Sequence, residues 1–185
     1  MDQARRGDSG CYTPAMDPLL LLLRVVHVTG GVFWGGAILF VVHFLEPAVR
    51  DAGPDGGRVM LALQKRRYLD VVPAVAALTL VSGFALYWRL FGRAHPGPGA
   101  SGAELWLAMG GLAALAAFVV GVGLMRPAAL RIGRLAGELP QAPPERKDAI
   151  GTEAARLRTR MRLAGRWVAA LLGVAILCMA VGRYA

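Results

Sequence analysis

His27 lies inside an apolar stretch, in the run RVVHVTGGVFWGG spanning residues 24–36. A titratable imidazole within the hydrocarbon of a membrane costs free energy unless it has a partner, so such a residue marks a candidate site. On a helix each residue turns ~100°, which puts Trp34 and Ile38 within about 20° of the His27 direction and Gly31 within about 40°. Arg24 lies one turn outward, about 60° away. One stripe therefore presents Arg24, His27, Gly31 and Trp34, with Trp34 about 10 Å deeper than His27. That is close to the width of a porphyrin. The chemistry this stripe allows is a haem bound through His27, lying over Gly30 and Gly31 and touching Trp34, with Arg24 neutralising a propionate.

The same residues allow a packing role. His27 can hydrogen-bond to a neighbouring helix at Thr79 or Ser82, and Gly31 and Gly35 form a GxxxG step that packs helices. No second histidine lies at the depth of His27, because His43 is about 24 Å down the same helix. Met109, Met179 and Cys178 fall in the same half of the membrane. The iron would then be five-coordinate, His/Met ligated, or shared with a second chain's histidine. His27, Met109 and Met179 are also a soft-ligand set for copper(I). His43 can pair with Glu46, Asp70 with Arg66 or Arg67, and His95 reads as solvated.

The elements that must position these groups are transmembrane. Hydrophobic residues make up 56% of the 185, and the mean hydropathy is +0.49. Four runs, about 18–45, 69–91, 104–126 and 163–182, each supply the roughly 20 apolar residues that cross a ~30 Å hydrocarbon layer. Backbone groups must be satisfied internally there, so each run is a helix. The expected fold is an all-α integral membrane four-helix bundle over 18–185, preceded by a flexible polar tail over 1–17. Glu46-Pro47 is expected to stop the first span, and Arg50 to Arg67 to form a basic loop. Pro73 allows a kink in the second span. Ser101 is a candidate cap for the third span, with Glu104 in the capping-box position.

The net charge is +9, concentrated between spans. Arg50, Arg58, Lys65, Arg66 and Arg67 follow the first span. A longer set from Arg131 to Arg162 follows the third. The positive-inside rule puts both groups in the cytoplasm and both termini outside, in a bacterial inner membrane. No nucleic-acid recognition motif accompanies the charge, and anionic lipid headgroups are the partner it fits. Leu130, Leu135 and Leu139 at helical spacing, and the proline-free run from Glu145, predict that spans three and four extend into the cytoplasm, broken around Pro140 to Pro144. No internal repeat is clear. Cys11 and Cys178 form no metal-binding spacing.

His27, Gly30, Trp34, Gly35 and Gly36 resemble the first-span pattern of a superfamily. It joins CopD-type copper-resistance membrane domains, small membrane proteins related to them, and HemJ-type protoporphyrinogen oxidases. Lys65-Arg66-Arg67-Tyr68 and Pro73 resemble the HemJ-type entry to span two. The resemblance covers the four-span layout and implies a b-type haem on His27. It does not carry over the oxidase activity: the HemJ-type functional lysine, four residues after the third-span tryptophan, corresponds to Gly110 after Trp106. Nor does the chain have the His/Met-rich run of a copper-capture protein. The expectation is a haem b membrane redox protein, with oxidoreductase chemistry if it is an enzyme. The alternatives are a non-catalytic subunit or assembly factor of a larger membrane complex, a homo-oligomer among them, and a copper-handling protein.

Overall fold

The computed structural model describes residues 17–92, 102–182 and 184–185, with only the backbone of Pro54. The polar tail, Cys11, Ser101 and His95 lie outside the described residues. Five helices follow in order: α1 (Pro18–Asp51), α2 (Pro54–Lys65), α3 (Tyr68–Phe91), α4 (Gly102–Gln141) and α5 (Pro144–Val181), with no strand among the described residues. The helices α1, α3, α4 and α5 are each long and apolar enough to cross a membrane.

Their packing inverts the pattern of a water-soluble protein. Large side chains point away from the protein, as with Val32 at 71% and Phe84 at 68% exposure. Most of the buried positions in these helices are small: Gly30, Gly35, Ala76, Thr79, Ser82, Gly110, Ala114, Ala117, Gly165, Ala169 and Ala175. Lipid tails are as apolar as leucine, so helices in a membrane associate by close approach over small residues. α1 packs mainly on α3, and α4 mainly on α5. Trp34 joins the two pairs in one apolar cluster with Val72, Ala76, Ala114, Ala117, Val168, Leu172 and Ala175.

The first span does not stop at Glu46-Pro47. A π-helical turn, Val41–Leu45, precedes Pro47, and the Glu46 N–H bonds to the Val41 carbonyl five residues back. The wider turn accommodates a residue with no N–H to donate, and α1 continues to Asp51. The same device recurs in α4, where Gly121–Met125 is a π turn before Arg126-Pro127 and the Arg126 N–H bonds to Gly121. Setting Pro47 on Pro127 also sets Gly30-Gly31 on Gly110-Gly111. In each case the first glycine faces the helix paired with its own, Thr79 of α3 or Cys178 and Met179 of α5. This similarity between the two pairs is not evident in the side chains around it.

The expected loop after the first span is largely α2. Gly53, at φ 58 and ψ −127, makes the reversal that leads into it, a conformation open to glycine. Gly56 then approaches the Val49 carbonyl so closely that a Cβ would overlap it. At the opposite end of the spans, Asp17 caps α1 by accepting from the Leu19 N–H at 3.0 Å, and pairs with Arg89 of α3 at 2.6 Å. Beyond the spans, α4 and α5 extend as expected and break between Leu139 and Pro143. Leu135, Ile150 and Ala154 form a small second core there, with Arg131 donating to both carboxylate oxygens of Glu153 at 2.9 and 3.4 Å.

The approach of α1 to α3 makes a test. Gly30→Ala places a methyl against Thr79 Oγ1 and should destabilise the detergent-solubilised protein by about 1–3 kcal/mol. Thr79→Ala removes that obstacle, so the double variant should recover most of the loss. Gly36 has open space around it, and Gly36→Ala should leave the thermal midpoint unchanged. Equal effects at Gly30 and Gly36 would contradict this packing.

Candidate functional site

His27 is half-buried on the face of α1 that meets α3. Its Nδ1 lies 2.8 Å from the Thr79 carbonyl oxygen. A carbonyl only accepts, so Nδ1 carries the proton and, in the neutral ring, Nε2 carries the lone pair. No protein group among the described residues bonds to Nε2. The ring rests on Gly83, where a Cβ would come within 2.6 Å of Cε1 and 2.8 Å of Nδ1. Sequence reading identifies Thr79 and Ser82 as possible partners but misses Gly83. Its only signal is a small residue one helical turn beyond Thr79 in an apolar span.

α3 prepares its side of this contact with hydroxyls. Thr79 Oγ1 donates to the Val75 carbonyl at 2.8 Å. Ser82 Oγ donates to Leu78 at 2.8 Å and to Thr79 at 3.0 Å, so the Thr79 carbonyl receives both Ser82 and His27. Both hydroxyls are thus satisfied within their own helix, as hydrocarbon surroundings require. The imidazole is fixed at one nitrogen by backbone, the arrangement that orients histidine ligands in metal sites.

The other stripe residues are distributed differently. Gly30 is closed by Thr79, and Gly31 lies beside the Thr79 methyl, 3.7 Å from where its own Cβ would be. Gly35 faces Ile176 of α5 instead, so the two glycines of the GxxxG step serve two neighbours. Trp34 is 4% exposed and meets Phe118 edge-on at 6.5 Å. Arg24 is exposed, with no ion pair among the described residues. Met109 is 54% exposed on the outward face of α4, and Met179 packs on Gly110 beside buried Cys178. Neither thioether is brought to His27. Among the described residues no three His, Cys, Asp or Glu side chains cluster as a metal site.

At the basic end of the spans the expected Arg67–Asp70 pair forms, at 4.0 Å, while other contacts differ from those expected. Pro73 has no N–H for the Leu69 carbonyl, and Arg126 of α4 fills the vacancy, its Nε donating to Leu69 O at 3.2 Å. The same guanidinium reaches Asp70 at 2.9 Å, while Arg67 stands 4.0 Å away. Asp70 therefore joins α3 to α4 rather than only closing its own turn. His43 Nδ1 bonds to the Leu39 carbonyl at 3.0 Å, and Glu46 pairs with Arg162 of α5 at 3.9 Å rather than with His43. The Tyr68 hydroxyl is buried with no hydrogen-bond partner among the described residues, and nothing in the structure explains it.

The tautomer can be measured. Nitrogen-15 spectra of histidine-labelled protein should show that the neutral His27 ring is the Nδ1–H tautomer. Gly83→Ala should displace the ring and remove that signature, whereas a neutral His27 carrying its proton on Nε2 alone in the unaltered protein would contradict the geometry. Comparison of the chain with family models, curated proteins and solved structures gives no match.

Proposed function

We propose that the chain is a haem b-binding redox protein of the bacterial inner membrane, a four-helix bundle with both termini outside. The observation that carries this is the half-satisfied imidazole. The Thr79 carbonyl holds Nδ1–H, and the Nε2 lone pair has no partner among the described residues. That is the state in which a histidine ligates iron. The resemblance of His27, Gly30 and Trp34 to the CopD-like and HemJ-like pattern supports the same reading.

The donor chemistry fits a b-type haem at one axial position. His27 would be the ligand and Arg24, one turn nearer the surface, the propionate partner. Gly30, Gly31 and Trp34 contribute by fixing α1 against its neighbours, since Thr79 and Phe118 occupy their faces. A bound haem would supply one-electron chemistry. The chain's own part is to hold the imidazole in one tautomer and one orientation. The large outward side chains of α1 and α3 keep the site in hydrocarbon.

A second reading has its own observation. The ring seated on Gly83, the closure of Gly30 by Thr79 and the burial of Trp34 together make a well-packed contact between helices. On that reading the chain is a non-catalytic subunit or assembly factor of a larger membrane complex, and His27 is an interhelical clamp. The copper reading has weaker support, since Met109 and Met179 lie apart from His27.

The absorption spectrum of the purified protein separates these. The haem reading expects a Soret band that His27→Ala abolishes. Arg24→Gln should weaken haem retention by about fivefold, the worth of roughly 1 kcal/mol of screened ion pairing. Colourless protein that co-purifies with a larger complex supports the second reading, and colourless protein with stoichiometric copper the third.

A further inference from the structure

A crevice of about 340 Å³ opens between α1 and α5 at the basic end of the spans, lined by Leu39, Val42, His43, Arg166, Ala169 and Ala170. We infer that this crevice is a binding site for one anionic phospholipid, which places its phosphate at Arg166 and His43 and an acyl chain along Leu39, Val42 and Ala170. It lies apart from the His27 region and stands independently of the haem reading.

Three features point to that occupant. The first is depth. Trp167, beside Arg166, is 63% exposed, and Leu163, one turn earlier, is 61% exposed. An outward-facing tryptophan among apolar side chains, next to a run of arginines, marks the level where hydrocarbon meets headgroups. The second is shape. Ala169 and Ala170 of α5 face Leu39 and Val42 of α1 and leave room that larger residues would fill. The π turn at Val41–Leu45 brings His43 into the lining. A slot with an apolar floor and a cationic rim matches a lipid, which is both acyl chain and phosphate.

The third feature is charge. Arg166 has no hydrogen bond or ion pair among the described residues. The acidic groups nearby are already engaged, Glu46 by Arg162 at 3.9 Å and Asp51 by Arg50 at 3.5 Å. Arg162, Arg166 and Arg50 all act on the Glu46 carboxylate, so the rim keeps a positive excess with that carboxylate included. A guanidinium at the headgroup level, with no direct ion pair among the described residues, is complementary to a phosphodiester. Basic pockets between transmembrane helices bind anionic headgroups on the same principle.

Native mass spectrometry of the full chain in detergent tests this, with phosphatidylglycerol and phosphatidylcholine as paired probes. The unaltered protein should retain one phosphatidylglycerol in preference to phosphatidylcholine. Arg166→Gln should lower that preference about fivefold. Arg158→Gln, on the exposed extension of α5, should leave it unchanged. Ala170→Phe fills the crevice with every charge intact and should reduce retention as Arg166→Gln does, which keeps the test decisive if the arginine variant fails to fold. Equal retention of the two lipids overturns the proposal. So does an equal effect of Arg158→Gln, or full retention in Ala170→Phe. Displacement of the lipid by glycerol phosphate at comparable concentration would assign the site to free phosphate and overturn the lipid.

Discussion

A single hydrogen bond, from His27 Nδ1 to the Thr79 carbonyl, organises the contact between α1 and α3. The Thr79 carbonyl also accepts from Ser82, but the imidazole N–H has no other partner among the described residues, so in apolar surroundings the bond is favoured over arrangements that leave that N–H bare. It brings the ring against α3 at Gly83, where a Cβ would overlap it. It also demands close approach further along the pair, which Gly30 provides against Thr79. Tautomer, ring orientation and helix separation therefore follow from one donor and one acceptor.

The same need for polar satisfaction explains the opposite end. Each proline within a helix here leaves a backbone group to be dealt with, and the chain does so in two ways. Before Pro47 and Pro127 the helix widens into a π turn and continues. At Pro73 it stays α-helical, and the carbonyl left free accepts from Arg126, whose charge is in turn balanced by Asp70. Arg126 to Asp70 joins α4 to α3, and Arg162 to Glu46 joins α5 to α1. The two helix pairs, held internally by small residues, are thus tied to each other by ion pairs at the basic end and by Trp34 within the apolar layer.

Much of the architecture was legible because its signals are strong and local. Apolar runs of spanning length identified four helices, and leucine spacing identified the extensions of α4 and α5. His27 stood out because its type is costly where it lies, and Thr79 and Ser82 were readable as partners because few polar side chains lie in the facing span. What was not legible depends on relations between helices or on unusual backbone. Glu46-Pro47 reads as a stop because a proline normally ends a helix, and nothing in the flanking residues announces a π turn. Glu46 reads as a partner for His43 by spacing, but the facing guanidinium of Arg162 is visible only once α5 is placed. α2 was hidden by Gly56 and Gly57 in its first turn. Gly30, Gly31 and Trp34 share the stripe with His27 as helical geometry requires, yet the stripe does not say that Thr79 and Phe118 cover them.

The account turns on whether His27 Nε2 holds iron. Pulsed electron paramagnetic resonance of the purified, oxidised protein carrying nitrogen-15 histidine addresses that atom directly. The account predicts a ferric haem signal coupled to an axial imidazole nitrogen, with the coupling lost in His27→Gln. A protein with no haem iron, or haem iron without a histidine nitrogen beside it, would contradict the account and leave His27 as the clamp between α1 and α3.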